Sequence, residues 1–321
     1  DGARPLKVLA LGETIIDEYV YCETLGKSGK EPVLAVREID TEQFAGGIVA
    51  VANHMAAFCE EVSLLTALGS VNSREDFIRE KLKPNVIPNF VYMEGDSPTI
   101  LKRRFVEIYP FQKLFELYVM DNGEVKSSES DALCRELTKI LPEFDVVLVT
   151  DYGHGFIGPD VVDCLCKNAK FLAVNTQVNA GNFGFNTASK YWKADFLCVS
   201  ENEIRLDARS RRTDLRTITK NISEKLSCEK VLITQGHKGC LCYSKQEGFF
   251  EVPALATQVV DRIGAGDAVF SSASLYAAQG APMEIAGFVG NAAGAHAVAT
   301  VGNRDSLEAI PLFRHLETLL K

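Results

Sequence analysis

The most informative segment of this 321-residue chain reads Asp261-Arg262-Ile263-Gly264-Ala265-Gly266-Asp267-Ala268-Val269-Phe270. An apolar, strand-like run ends just before it at Val259-Val260, and a helix-forming sequence from Ala265 to about Gln279 follows it directly. Glycines at this junction allow a sharp bend and let the backbone come close to a ligand. The free N–H groups of the first helical turn would then face that ligand, and the positive end of the helix dipole favours an anion there.

Asp267 falls inside that first helical turn. A carboxylate beside a bound polyphosphate is the minimum apparatus for moving a phosphoryl group onto a hydroxyl, because it can accept the hydroxyl proton. A plain helix cap followed by a first-turn acid would produce the same short motif. Taken alone, the motif leaves both interpretations open.

The segment resembles the second signature of the PfkB/ribokinase family of sugar kinases, D-T-x-G-A-G-D, with Arg262 at the threonine position. The resemblance implies that Asp267 is the catalytic base. It also implies that the turn formed by Gly264, Ala265 and Gly266 is the anion hole.

A second segment is similar to the first signature of that family. Phe44-Ala45-Gly46-Gly47 leads into a helix-forming run of small residues, and the strand-like Val62–Thr66 follows. The resemblance places Gly46 and Gly47 at the sugar, together with Asp17 at the end of the opening strand. Ala50 stands where the family usually has an asparagine that touches the sugar.

The resemblance extends to the nucleotide and metal sites. Thr234-Gln235-Gly236-His237-Lys238-Gly239 resembles the nucleotide loop of the family, and Asn291–Ala295 resembles the late helix at the adenine pocket. These matches imply ATP binding by Thr234, Gly236, Gly239 and Asn291. They also imply a magnesium contact at Glu203 and a potassium site at Asp261, Gly302 and Ser306.

Three further segments resemble a subgroup, the kinases of D-glycero-D-manno-heptose 7-phosphate: Gly29–Val36, Pro98–Val106 and Thr150–Gly155. Lys102 and Arg104 share one face if their segment is a strand, and two cations on one face suit a phosphorylated substrate. A solvated charged edge strand is the alternative. The resemblance adds Asp151 to the substrate contacts, and His154 replaces the lysine of the subgroup.

Two other functions stay open. The sequence D-R-x-G-A-G-D also occurs in kinases of 2-keto-3-deoxygluconate, so the acceptor could be another sugar or a sugar acid. Alternatively, two departures from the family could mark a catalytically weak domain that binds a ligand for a fused sugar-nucleotide enzyme. These are Ala50 at the sugar contact and Ser200-Glu201-Asn202-Glu203, where only Glu203 of the magnesium motif N-x-x-E is kept. The subgroup is often fused to a nucleotidyltransferase, so such a domain is an expected neighbour in a longer chain.

Composition narrows the functional classes. A net charge of −9 argues against nucleic acid as a partner, because its phosphates would be repelled. No apolar run approaches the roughly 20 residues that span a bilayer, and no signal-peptide pattern opens the sequence, so we expect a cytoplasmic protein. The nine cysteines show no C-x-x-C spacing, which fits reduced thiols in that compartment.

Short apolar strands alternate with helical stretches, which predicts a parallel sheet covered on both faces. We expect a single ribokinase-like domain over residues 1–321, an α/β/α sandwich with a mostly parallel central sheet. The segments 19–44 and 99–120 alternate polar and apolar residues, and we interpret them as a small β-lid. In relatives such lids pair two subunits, so a homodimer is expected. The predicted strands are Val8–Leu11, Val62–Thr66, Val146–Thr150, Phe171–Val174, Phe196–Val199 and Val231–Thr234.

Overall fold

A computed structural model describes residues 2–121 and 127–321, and this part of the chain contains twelve strands and nine α-helices. The strands are β1 (Val8–Lys27), β2 (Leu34–Gly47), β3 (Val62–Val71), β4 (Val86–Pro98), β5 (Ile100–Glu107), β6 (Gln112–Val119), β7 (Val146–Asp151), β8 (Leu172–Thr176), β9 (Phe196–Ser200), β10 (Lys230–Thr234), β11 (Cys240–Ser244) and β12 (Gly248–Val252). The helices are α1 (Ile48–Met55), α2 (Glu75–Lys81), α3 (Ser127–Ile140), α4 (Pro159–Asn168), α5 (Glu201–Asp207), α6 (Leu215–Lys225), α7 (Ala265–Ala278), α8 (Met283–Ala297) and α9 (Ala309–Leu319).

The main sheet has the strand order β12-β11-β10-β9-β8-β7-β1-β3-β4. All neighbours from β10 to β4 are parallel, and only the pairs β10–β11 and β11–β12 are antiparallel. Each of the six predicted strands lies within this sheet or overlaps one of its members by all but one residue. The prediction of a mostly parallel central sheet is confirmed.

Helices cover both faces of the sheet because its strands are apolar on both sides. Along β1, Val8 and Ala10 belong to one hydrophobic cluster, which also contains residues of α1, α7 and α8. Leu9 and Leu11 belong to the other cluster, with residues of α3, α4 and α6. Successive strand residues point to opposite faces, so this alternation builds the predicted α/β/α sandwich.

The lid grows out of the main sheet rather than standing apart from it. β1 leaves the sheet as one continuous strand, and from Thr14 onward it pairs with β2 in antiparallel order. On its other side, residues 15–22 of β1 pair with β5, which in turn pairs with β6. These strands fall largely within the segments 19–44 and 99–120. They stand over the carboxyl ends of the parallel strands, where open α/β sheets bind ligands.

No helix in the described ranges is long and apolar enough to cross a membrane.

The core cysteines are free thiols, and eight of the nine are buried.

Candidate active site

A cavity of about 300 Å³ lies at the carboxyl ends of the central strands, under the lid. It is bounded by lid strand β5, by the glycine that precedes α1 and by the turn that begins α7. The predicted site residues that line it are Asp17, Gly47, Lys102, Arg104, Glu203, Thr234, Gly264, Gly266 and Asp267. A second groove of about 560 Å³ adjoins it and shares Ser200, Thr234, Arg262 and Gly266 with it. The two spaces could therefore hold two reactants end to end.

The turn before α7 requires glycine at position 264. Gly264 has a φ of +81°, and a Cβ atom there would lie 2.1 Å from Oδ1 of Asn303. No side chain among the described residues caps α7. The first N–H groups of that helix are therefore available to an anion, as the sequence predicted. Ala265, the first residue of the helix, lines the adjoining groove.

Asp267 is buried at the first turn of α7, and neutral donors hold its carboxylate. The hydroxyl of Tyr152 and the side-chain amide of Gln177 each donate a hydrogen bond of 3.0 Å to the same oxygen, Oδ1. Burial raises the pKa of Asp267 to about 7, against the opposing effect of these two hydrogen bonds. A carboxyl group with this pKa can take up a proton near neutral pH, and Oδ2 is left for a substrate hydroxyl.

Asp17 is held from three sides at the base of the lid. Its carboxylate pairs with the guanidinium of Arg104, and both side chains are buried. Asn303 donates a hydrogen bond of 3.2 Å to the other oxygen. A Cβ atom on Gly46 would lie 2.2 Å from that same oxygen, so the first of the two glycines leaves room for Asp17. Arg104 also pairs with Glu116 on β6 at 2.9 Å, so its charge is already balanced.

Lys102 is a buried cation of the cavity, whereas Arg262, which also lines the cavity, is exposed. Its ammonium lies 5.2 Å from the ring centroid of Tyr118 and 5.8 Å from that of Tyr152, and the side chain is buried. Among the residues that the structure describes, it forms no ion pair. Burial lowers the pKa of Lys102, because the charged form loses its hydration, although Asp17 acts in the opposite direction. A buried ammonium in this setting gains most from an anionic ligand.

The adjoining groove contains the four residues predicted to bind nucleotide: Thr234, Gly236, Gly239 and Asn291. Asn291 donates from its side-chain amide to the carbonyls of Val252 and Pro253, both at 3.1 Å, and so ties α8 to the end of β12. Gly239 has a φ of +97° at the end of the loop between β10 and β11.

Glu203 lies where the groove and the cavity meet. Its Oε2 accepts from the backbone N–H of Ser200 at 2.7 Å, and its Oε1 accepts from that of Val178 at 3.2 Å. Ser200 completes a capping box at the start of α5, and burial raises the pKa of Glu203. Each carboxylate oxygen keeps a lone pair, so Glu203 could still bind a water of a magnesium ion.

Asp261 begins the turn and is held by a cation. Its carboxylate accepts hydrogen bonds from the ammonium of Lys113 and the hydroxyl of Tyr19, and from the backbone N–H of Gly302 at 3.1 Å. Burial alone would raise the pKa of Asp261, but the bonds from Lys113 and Tyr19 prevail and lower it. Ser306, the third predicted potassium ligand, lines two other cavities near His54 and Asp305.

The structure does not bring Asp151 into the cavity. Asp151 is fully buried at the end of β7, where its carboxylate pairs with Lys190 at 2.5 Å and accepts from the hydroxyl of Tyr191 at 2.7 Å. His154 also lies outside the cavity, and its backbone N–H donates to the carboxylate of Glu13. In this position Asp151 holds the segment that carries Tyr152.

Sequence reasoning did not assign four residues of the site: Tyr152, Gln177, Asn303 and Lys113. Tyr152 lies within Thr150–Gly155, one of the segments that resemble the heptose-phosphate kinases, and Gln177 lies three residues after the predicted strand Phe171–Val174. Their positions were therefore visible in the sequence, but their shared target, Asp267, was not. Asn303 and Lys113 contact partners far away in the chain, and no local motif marks them.

Comparison with known proteins shows the family of the chain. The profile of the family described as "pfkB family carbohydrate kinase" matches residues 5–310. The chain is 26% identical over 305 residues to the bifunctional protein HldE of Citrifermentans bemidjiense, covering 94% of this chain and 62% of that protein. It is 28% identical over 302 residues to HldE of Desulfatibacillum aliphaticivorans, covering 92% and 60%. The chain thus spans about 60% of the length of these relatives.

Solved structures show the same fold. Phosphofructokinase-2 from Escherichia coli, in complex with potassium, superposes with a TM-score of 0.76 at 15% identity, covering 99% of this chain and 100% of that one. Ribokinase from Thermotoga maritima gives a TM-score of 0.72 at 18% identity, covering 97% and 99%.

Proposed function

The chain belongs to the pfkB family of carbohydrate kinases, and we propose that it transfers the γ-phosphoryl group of ATP to a hydroxyl of an anionic sugar, with Asp267 as general base. The observation that carries this proposal is the position of Asp267. Its buried carboxylate lines the cavity at the first turn of α7, directly after the uncapped glycine turn whose Gly266 is shared by the cavity and the adjoining groove.

In the proposed reaction ATP lies in the groove with its phosphates toward Gly264 and Gly266. The sugar occupies the cavity, held by Asp17 and by the backbone at Gly47. The sugar oxygen forms a bond to the γ-phosphorus while the bond from that phosphorus to the β,γ-bridging oxygen breaks. The hydroxyl proton passes to Asp267, and ADP leaves. The N–H groups of the turn stabilise the charge that develops on the phosphoryl oxygens.

Tyr152 and Gln177 position the base. Burial raises the pKa of Tyr152 well above its ordinary value, so its hydroxyl remains a donor at any working pH. Because both donors bind Oδ1, they fix the plane of the Asp267 carboxylate and direct the other oxygen to the substrate.

A magnesium ion fits this arrangement as a companion of the nucleotide. Glu203 would contact a water of that ion, and the ion would neutralise phosphate charge. Potassium has no role in the proposed mechanism, because the Asp261 carboxylate is already paired with the ammonium of Lys113.

Lys102 supports an anionic acceptor. It is buried at the cavity wall and forms no ion pair with any residue that the structure describes, so a phosphate or carboxylate on the sugar would supply the missing charge. A heptose 7-phosphate fits this requirement and agrees with the resemblance to HldE proteins. A sugar acid such as 2-keto-3-deoxygluconate also meets it, and the two differ in the size and charge of the anionic group.

A substrate panel with matched variants tests the proposal. ADP release would be measured with neutral sugars, sugar phosphates and sugar acids, for the unchanged protein, Lys102→Met and Arg103→Met. We expect Lys102→Met to raise KM for the best anionic sugar roughly 10- to 100-fold, the usual effect of losing one charge-assisted hydrogen bond. Arg103 is the control, since it belongs to the same strand but pairs with Glu18 outside the cavity.

A neutral sugar as the best acceptor, or an equal loss in both variants, would contradict an anionic substrate. Calorimetric binding of ATP and sugar without turnover on any member of the panel would favour the alternative, a catalytically weak domain that serves a fused enzyme.

The lid also suggests a homodimer. It exposes apolar side chains that a second copy could cover: Val33, Leu34, Ile39, Phe115, Leu117 and Val119. We expect Leu117→Lys to lower the mass measured by light scattering from that of a dimer to that of a monomer. Ile310→Lys, which alters an exposed apolar residue on α9, should leave the dimer intact. A monomeric unchanged protein would reject this assembly. A fused nucleotidyltransferase domain, like that of the bifunctional relatives, is proposed on the resemblance alone.

A further inference from the structure

The carboxylate of Asp261 is fully occupied by donors within the protein. Its Oδ1 accepts from Lys113 at 2.5 Å and from the N–H of Ile263 at 3.2 Å. Its Oδ2 accepts from Tyr19 at 2.5 Å and from the N–H of Gly302 at 3.1 Å. A carboxylate offers about four lone-pair positions. A metal ion could bind these oxygens only by displacing one of the four donors.

Only one of those four donors carries a charge. Lys113 lies on lid strand β6, and its ammonium also lies 5.6 Å from the ring centroid of Tyr19. An ammonium is a compact, singly charged group. It therefore supplies the same charge as a monovalent metal ion, and it donates to the same carboxylate oxygen that such an ion would contact. Asp261 is only 3% exposed, so its negative charge needs such a partner.

The Lys113–Asp261 pair joins two parts of the active site. Asp261 accepts from Ile263 and so shapes the backbone that leads into Gly264. Lys113 lies on β6, which pairs with the strand β5 that carries Lys102 and Arg104. The contact therefore connects the lid directly to the anion-binding turn.

We infer that Lys113 is a built-in monovalent cation. Its ammonium fills the place on Asp261 that a bound potassium ion would take, and it anchors β6 to the turn that holds the nucleotide phosphates. The protein consequently needs no added potassium to order this turn. The inference rests on the proposed function only in assuming that the turn binds phosphate.

The experiment compares the unchanged protein with Lys113→Met, Lys113→Gln and the control Arg103→Met, which removes a different lid ion pair. Each protein is studied in potassium chloride, sodium chloride and choline chloride at equal ionic strength. Two readouts are taken: the thermal unfolding midpoint without substrates, and kcat/KM for ATP with the best sugar of the panel. The glutamine variant keeps a polar side chain and serves if the methionine variant fails to fold.

The unchanged protein and Arg103→Met should behave alike in potassium and choline, within about twofold in kcat/KM. In choline the Lys113 variants should lose about tenfold in kcat/KM, as expected for one charge-assisted contact. Potassium should restore most of that loss. It should also raise the unfolding midpoint of these variants above the value in choline, with no such shift in the unchanged protein.

Several results would overturn the inference. One is strong potassium activation of the unchanged protein, and another is full activity of the Lys113 variants in choline. A third is a folded Lys113 variant in which neither kcat/KM nor the unfolding midpoint changes when potassium replaces choline. The unfolding midpoint requires no turnover, so a potassium-specific shift would remain visible even if no sugar on the panel were phosphorylated. Failure of the proposed function is thereby distinguished from failure of this inference.

Discussion

Asp261 and Asp267 stand at the two ends of one turn, and the side chains that donate to their carboxylates differ in charge. Both side chains are buried, and both accept hydrogen bonds from a tyrosine. Asp261 has an ammonium among its donors, whereas Asp267 has only the neutral side chains of Tyr152 and Gln177. The pKa of Asp261 is lowered in consequence, while burial raises that of Asp267 to about 7.

The charge of the donor therefore distinguishes the two acids, in addition to the burial that acts to raise the pKa of both carboxyl groups. An acid paired with a cation stays ionised and serves as an anchor. An acid held by neutral donors in the same protein interior can gain and lose a proton near neutral pH. Two carboxylates of one short motif can thus perform opposite tasks.

Replacing Asp267 should produce the largest effect. Asp267→Asn keeps the size of the side chain and can still accept from Tyr152 and Gln177, but it cannot take up the hydroxyl proton. We expect turnover to fall about 100-fold or more, the usual contribution of a general base, with little change in ATP affinity. Steady-state kinetics and calorimetric titration of ATP would measure the two quantities.

Asp261→Asn is the matched control, since it removes the anchor but retains the base. Its turnover should fall by about tenfold, because the turn loses a charge-assisted contact while proton transfer remains possible. Equal losses of turnover in Asp267→Asn and Asp261→Asn would contradict the different roles proposed for the two acids.

The pH dependence should show the next largest effect. Asp267 acts as a carboxylate, so its raised pKa predicts that activity is present above about pH 7 and is lost as pH falls through that value. Below the pKa we expect kcat/KM to drop by about tenfold per pH unit. A profile that stays flat down to about pH 5 would contradict a raised pKa at the base.

Gln177→Met should shift that profile by a smaller amount. The hydrogen bond from Gln177 lowers the pKa of Asp267, so its loss should move the acidic limb to higher pH. The plateau at high pH should fall much less than in Asp267→Asn. An acidic limb that stays in place would show that Gln177 does not act on the base.

The sequence predicted the elements whose signals are local. The glycine turn, the first helical turn and Asp267 lie within one short segment, so their geometry follows from residues that are neighbours in the chain. The central strands were predictable because buried parallel strands are continuous apolar runs. β4 was not predicted: it is an edge strand that contains Pro88, and most of its side chains are half-buried or exposed, which gives a weaker pattern.

Contacts between distant residues lay beyond that reasoning. Lys113 is 148 positions from Asp261, and Asn303 is 286 positions from Asp17. The register of lid strands and the course of the chain after α8 determine these pairs. Asp151 shows the converse: its motif suggested a substrate contact, but Lys190 and Tyr191, from a segment that no motif marked, hold it in the interior.

The continuity of β1 limits how the enzyme can open and close. A single strand passes from the sandwich into the lid, and its pairing with β2 first changes register between Tyr21 and Cys22. Asp17 precedes that irregularity and is clamped by β2 on one side and β5 on the other. Bending is therefore easiest beyond Asp17, at the far end of the strand. The lid is therefore stiffest around Asp17, which we propose binds the sugar, and it bends most easily beyond Tyr21.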